Sequence, residues 1–200
     1  MFSPAAQQPT KRYRTIVADP PWNYRQKWGG KELTSSFFKG GTERGAACFY
    51  PCMTQEELLN LPVGLWAMDN AHLYLWVTNA FMVQGHEIAR AWGFEVKTII
   101  TWCKNQLGMG MWYRNTTEHI LFAVRGSLKC LHKDVPTHFM AERHGHSEKP
   151  AAFYDMVQHM SLGPYLDVFA RKQRFNWDCW GDEAYCFDDG HAYWHDKGTA

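Results

Sequence analysis

The chain has almost no net charge, +1 over 200 residues with histidines neutral, and no apolar run that approaches the roughly 20 residues of a membrane span. Its first residues, MFSPAAQQPTKR, lack the charged-then-apolar order of a secretory signal. These absences lead to the expectation of a cytoplasmic protein with no membrane partner. Cysteines stand at 48, 52, 103, 130, 179 and 186, and no two of them form a CxxC pair, so neither a zinc ribbon nor a thioredoxin-type motif is spelled out. Among ten histidines, His132, His138, His144 and His146 fall fairly close together, but no Cys or His pair has a recognised ligand spacing; no metal is expected. A glycine-rich nucleotide loop is also missing. Only LGP at 162–164 stands where one would be sought, which argues against a Rossmann dehydrogenase.

What remains is the composition of an ordinary globular chain, 46% hydrophobic and 20% charged, long enough for one unstapled core. Charge is unevenly spread. Eight Lys or Arg between Lys11 and Arg44 face three acids, whereas Asp178 to Asp189 holds five acids. A basic segment of this kind suits phosphate, although a solvated surface looks the same in sequence.

Residues 1–12 read as a flexible leader, 13–184 as one domain and 185–200 as a tail. TIV at 15–17, HLYLWVT at 72–78, EVKTIITWCK at 95–104, EHILFAVRG at 118–126, YLDVFA at 165–170 and NWDCWG at 176–181 read as strands. Helices are expected in three places. MTQEELLNLP has Thr54 and Glu57 as a capping box and a stop at Pro62; residues 79–94 show helical apolar spacing; 149–161 carry Pro150 near the first turn. Alternating strands and helices imply an α/β fold with a mostly parallel sheet, whose ligands sit outside the carboxyl ends of strands. The long stretches 23–47 and 105–117, the latter with Met109, Met111 and Trp112, read as functional loops.

The first strand runs into Asp19-Pro20-Pro21-Trp22. Consecutive prolines remove two N–H donors and fix φ, so the chain should leave the strand stiff and extended with free carbonyls. A carboxylate, a row of acceptors and an aromatic face suit a flat ligand bearing an NH2 group. A base amine could donate to Asp19 and the Pro20 carbonyl while Trp22 or Tyr24 stacks on the ring. Acceptors on its hydrogens would draw the delocalised lone pair out toward an electrophile, and a sulfonium methyl would then need orientation rather than a strong base. A plain proline turn with a core tryptophan is the alternative. For a donor such as S-adenosylmethionine, Asp167 offers an acid for ribose hydroxyls, with Arg171, Gln173, Arg174 and the GDE at 181–183 nearby.

Taken in order, VADPPW, FYPCMTQEEL, LYLWVTN, GFEVKTIITWCKNQLGMG, EHILFAVRG, HSEKPAAFYDMV and GPYLDVFARKQRFNWDCWGDE closely resemble one family. They are similar to the N6-adenine methyltransferases related to the catalytic subunit of the messenger-RNA adenosine methyltransferase, particularly their compact bacterial and phage members. The resemblance runs from about Arg14 to Glu183. It implies a single-domain class I, Rossmann-like S-adenosylmethionine-dependent fold, with helices on both faces of a mostly parallel sheet and the motif order permuted so that the catalytic block comes first. It further implies that Asp19, Pro20, Pro21 and Trp22 form the catalytic loop, and that Asn23, Tyr24, Tyr50, Lys104 and Glu118 surround the target adenine. Lys149 would reach the methionine carboxylate or lie between the two substrates. Asp19, Asp167, Arg171, Gln173 and Arg174 would meet the cofactor, and Asp182 with Glu183 its adenine end. Here the chain has GDE where the family often has GNE or GNQ.

The implied function is transfer of a methyl group to N6 of adenine in nucleic acid, DNA in preference to RNA, with the base flipped out and the basic residues of 23–47 on the phosphates. A noncatalytic nucleic-acid-binding subunit and a cytosine-N4 methyltransferase are the alternatives. A homodimer or a partner subunit is compatible with the absence of a separate reader domain.

Overall fold

A computed structural model describes residues 9–23, 52–108, 112–142, 149–170 and 172–181. Among the described residues, seven strands form one sheet: β1 (Tyr13–Ala18), β2 (Ala67–Val77), β3 (Glu95–Lys104), β4 (Thr117–Arg125), β5 (His138–Ala141), β6 (Tyr165–Val168) and β7 (Trp177–Trp180). Their order is β5-β3-β4-β2-β1-β6-β7. All run the same way except β4, which is antiparallel to both β2 and β3. The sheet is therefore mostly parallel. β4 reverses because the β3–β4 connection carries no helix among its described residues, so the chain returns beside itself.

The α-helices among the described residues are α1 (Gln55–Leu59), α2 (Val63–Trp66), α3 (Met82–Ala91) and α4 (Ala151–Met160). The capping box holds α1: Thr54 accepts from the Glu57 N–H at 3.2 Å while Glu57 accepts from the Thr54 N–H at 2.7 Å. α3 is shorter than its periodicity suggested, because Asn79–Phe81 form a 3-10 turn before it. It packs closely because position 85 is glycine; a Cβ there would stand 2.5 Å from Val77 Cγ1. Two elements escaped the sequence pattern, α2 and the edge strand β5, each only four residues long. β6 stops at Val168, two residues early, where Phe169 turns to a φ of 67°.

Alternation along the central strands sorts the core into two layers. Ile16, Ala18, Leu73, Leu75 and Val77 join Ile88 and Trp92 of the α1–α3 side. Val17, Tyr74 and Trp76 join Phe153, Tyr154 and Val157 of α4 on the other. Helices thus cover both faces. β1 connects toward β2 on one side, whereas β6 connects to β7 on the other, so the strand order reverses between β1 and β6. In open α/β sheets that switch point opens a crevice at the carboxyl ends, and Asp19 follows β1 directly into it. No helix among the described residues is long and apolar enough to cross a membrane.

Candidate active site

Four charged side chains from distant parts of the chain meet at the carboxyl end of the sheet. Lys149, just before the Pro150 cap of α4, places its Nζ 2.9 Å from Asp19 Oδ2 and 3.2 Å from Glu118 Oε2. Glu118, near the start of β4, gives its other oxygen to Lys104 at the end of β3. Antiparallel pairing of β3 and β4 explains the last contact, because it brings the end of one strand beside the start of the other. Two acids and two bases balance, and only 11% of the Lys149 side chain is exposed.

The electrostatics follow from that balance. Burial works to raise the Glu118 carboxyl, but Lys149 and Lys104 outweigh it and hold the group below its usual range. For Lys149 burial works to lower the ammonium, yet Asp19 and Glu118 prevail and the group is raised. Both remain charged at neutral pH. A cation before a helix N-terminus is disfavoured by the helix dipole, and a ligand carboxylate was one expected reason for it. The chain itself supplies two carboxylates, Asp19 and Glu118.

Each lysine also rests on an indole. Lys149 Nζ lies 4.6 Å from the Trp76 ring centroid and Lys104 Nζ 4.8 Å from that of Trp102. The two indoles meet edge to face at 6.0 Å. Neither tryptophan stood out in the sequence, where each reads simply as an apolar strand residue. Burial beside a lysine becomes visible only when the strands are assembled.

The loop Asp19–Trp22 corrects two expectations. Its carbonyls are not a free row: Pro20 O accepts the Trp22 N–H at 2.8 Å and Pro21 O accepts the Met53 N–H at 2.9 Å. The prolines lack donors, so the turn closes on the next available N–H groups, leaving the second lone pair of each oxygen. Trp22 does not offer a face for a base. It is 6% exposed, stacks on Phe81 at 4.9 Å and donates its Nε1–H to Trp76 O at 3.2 Å. The indole anchors the loop to β2, as the plain-turn alternative required, while Asp19 is held by its N–H to Val168 O at 3.3 Å. Asp19 Oδ1 has no partner among the described residues.

Asp167 lies on β6 and is 3% exposed. Tyr154 of α4 donates to its Oδ2 at 2.9 Å, and Arg174 donates to the same oxygen at 3.2 Å while stacking 3.5 Å over the Tyr154 ring. Burial raises the Asp167 carboxyl to about 7; Arg174 and Tyr154 offset this in part. Tyr154, unmarked in the sequence, is thus a central member of the site. Asn23 lines a cavity of about 170 Å³ with Trp22, Met53, Phe81 and Gln84, on the α1–α3 side. Gln173 is exposed in the β6–β7 connection. Tyr24, Tyr50, Arg171, Asp182 and Glu183 lie outside the described residues, as do Met109, Met111 and most of 23–47. Trp112, in the loop between β3 and β4, is 79% exposed.

A family model described as MT-A70 matches residues 13–183. The chain belongs to the MT-A70 family. Its relatives include the Type II methyltransferase M.MunI of a Mycoplasma species, 32% identical over 188 residues, covering 88% of this chain and 80% of that protein. The human N(6)-adenosine-methyltransferase catalytic subunit METTL3 is 28% identical over 186 residues. There the alignment covers 86% of this chain but 28% of the relative, so the chain spans little more than a quarter of that protein's length. The N6-adenine methyltransferase resemblance of the sequence motifs is this family.

Proposed function

We propose that this MT-A70 chain transfers the methyl group of S-adenosylmethionine to N6 of adenine in nucleic acid, with DNA preferred to RNA. One observation carries the reading: Asp19 stands at the switch point with Lys149 fixing Oδ2 and with Oδ1, unpartnered among the described residues, placed to accept a hydrogen of a base amine. Adenine N6 needs such an acceptor, because its lone pair is delocalised into the ring and localises only as the amine is drawn toward tetrahedral geometry. Pro20 O, which accepts only the Trp22 N–H among the described residues, keeps a lone pair for the second hydrogen. Glu118 and Lys104 hold Lys149 in register, so Asp19 is aimed before the base arrives.

The donor set suits the cofactor. Asp167 keeps Oδ1 without a partner among the described residues, at the strand next to β1, where a ribose hydroxyl could donate; Lys149 adds a cation for a carboxylate. When bound, the cofactor supplies an electrophilic sulfonium methyl. Arg171, Gln173, Arg174, Asp182 and Glu183 complete the proposed cofactor set, and Asn23, Tyr24 and Tyr50 the adenine set. DNA is supported by coverage: the Type II methyltransferase matches along 80% of its length and the adenosine-methyltransferase subunit along 28%. The whole of residues 13–184 is proposed as the methyltransferase domain, in the cytoplasm.

The test incubates the purified chain with isotopically labelled S-adenosylmethionine and, separately, duplex DNA, single-stranded DNA and RNA, followed by digestion to nucleosides and mass spectrometry. Labelled N6-methyladenine from DNA that disappears with Asp19→Ala is the expected result. Label on cytosine N4 overturns the base assignment. Cofactor binding without label in any base turns the reading to a subunit that needs a partner, and no cofactor binding turns it to a noncatalytic nucleic-acid-binding subunit.

A further inference from the structure

Away from the catalytic crevice, a second cluster has the chemistry of a metal site. Among the described residues, His132, Asp134 and His159 bring three ligand atoms within 4.8 Å of one another, all on exposed residues. His159 Nε2 stands 3.2 Å from Asp134 Oδ1. The imidazoles of His132 and His159 stack with centroids 4.0 Å apart and planes 6° from parallel. The three residues come from two segments, the β4–β5 connection and the last turn of α4. Those segments are already tied, because the Leu131 N–H donates to Met160 O at 2.9 Å. α4 begins beside Lys149 and is ten residues long, so its last turn lies about 15 Å farther on, toward the opposite end of the sheet.

We propose that His132, Asp134 and His159 form a binding site for a divalent transition metal of the zinc type, separate from methyl transfer. Two imidazoles and a carboxylate match the preferences of zinc and its neighbours, whereas magnesium and calcium prefer all-oxygen sites. Protein ligands occupy three positions and water completes the shell. Bonds of about 2.0–2.2 Å require the ligand atoms to draw closer together than they now stand. An imidazole lone pair lies in its ring plane, so two parallel rings cannot both point at one ion, and one ring must turn. Both rings are at the surface, where that turn costs little beyond the ring stack and the Asp134 contact. The bound ion would clip the β4–β5 connection to α4. Sequence spacing could not reveal the site, since His159 is 25 residues beyond Asp134.

The test titrates the chelator-treated full chain with zinc chloride by calorimetry, and with cobalt(II) by visible absorption, against His132→Ala, His159→Ala and the double variant. Expected are one zinc per chain with micromolar affinity, a loss of about tenfold or more in either single variant, and no competition from excess magnesium. Zinc should raise the melting temperature of the parent chain and not of the double variant, while S-adenosylmethionine binding stays the same in all four proteins. Absence of saturable zinc binding overturns the proposal. So does equal binding by the parent and the double variant, which assigns the metal to other histidines.

Discussion

Glu118, half-buried, and Asp167, buried, are carboxylates near one crevice, yet they are shifted in opposite directions. Glu118 receives an ammonium on each oxygen, Lys104 on one and Lys149 on the other, and is held below its usual range although burial opposes this. Asp167 has two partners on a single oxygen, one of them an uncharged phenol, and burial prevails, raising it to about 7. Residue type is almost the same. The number of cations, and how they are shared between the two oxygens, separates a carboxylate that helps fix a lysine from one that gains or loses a proton near neutrality.

That contrast can be broken most forcefully at Lys149. Replacing it with methionine strands Asp19 and Glu118 without their shared cation; a loss of about 3 kcal/mol, the usual scale for one missing partner of a buried pair, is expected in urea unfolding. Methyl transfer should fall with it, and Lys149→Arg should recover part of the stability.

Lys104→Ala removes only one of the two cations on Glu118. A smaller loss, about 1–2 kcal/mol, is expected, together with an upward move of the Glu118 carboxyl detectable by NMR titration.

Asp167 sharpens the comparison through pH. Its folded value near 7 exceeds the ordinary 3.8, so the folded chain keeps a proton that the unfolded chain has already released. The associated stability is fully present below about pH 4 and is lost as pH rises to about 7, with a slope no steeper than about 1.4 kcal/mol per pH unit. Asp167→Asn should flatten this slope; an unchanged profile between pH 5 and 8 would contradict it. Cofactor binding that uses the Asp167 carboxylate should also release a proton near pH 6.5, measurable as a buffer-dependent heat.

His72 gives the smallest effect and the opposite sign. It is buried with only neutral partners: Ser161 Oγ at 2.7 Å from Nδ1 and the Leu128 carbonyl at 3.1 Å from Nε2. A carbonyl only accepts, so Nε2 carries the proton, and the serine donates to Nδ1 while receiving the Tyr74 hydroxyl at 2.7 Å. Burial lowers the imidazole below its ordinary 6.5 despite the Leu128 hydrogen bond. Its stability contribution is present above pH 6.5 and is lost as pH falls through the folded value, so urea midpoints should decline as pH drops below 6.5. His72→Gln should remove that dependence.

By itself, the sequence determined the elements and the chemistry at their ends. Long strands such as β3 and β4 were legible within a residue because apolar runs bounded by turns are local signals, and the Thr54–Glu57 box announced α1 for the same reason. The acid after β1 was legible because Asp-Pro-Pro-Trp is contiguous. Short elements such as α2 and β5 were not, since four residues carry too little pattern and owe their form to neighbours. Tertiary structure alone decided the partners: that Lys149 meets Asp19 and Glu118, that Trp76 and Trp102 lie beneath the lysines, that Tyr154 and Arg174 share one oxygen of Asp167, and that the prolines' carbonyls are already engaged. Each depends on strand order and register between segments tens of residues apart. Local propensity does not encode that information; burial of both sheet faces imposes it.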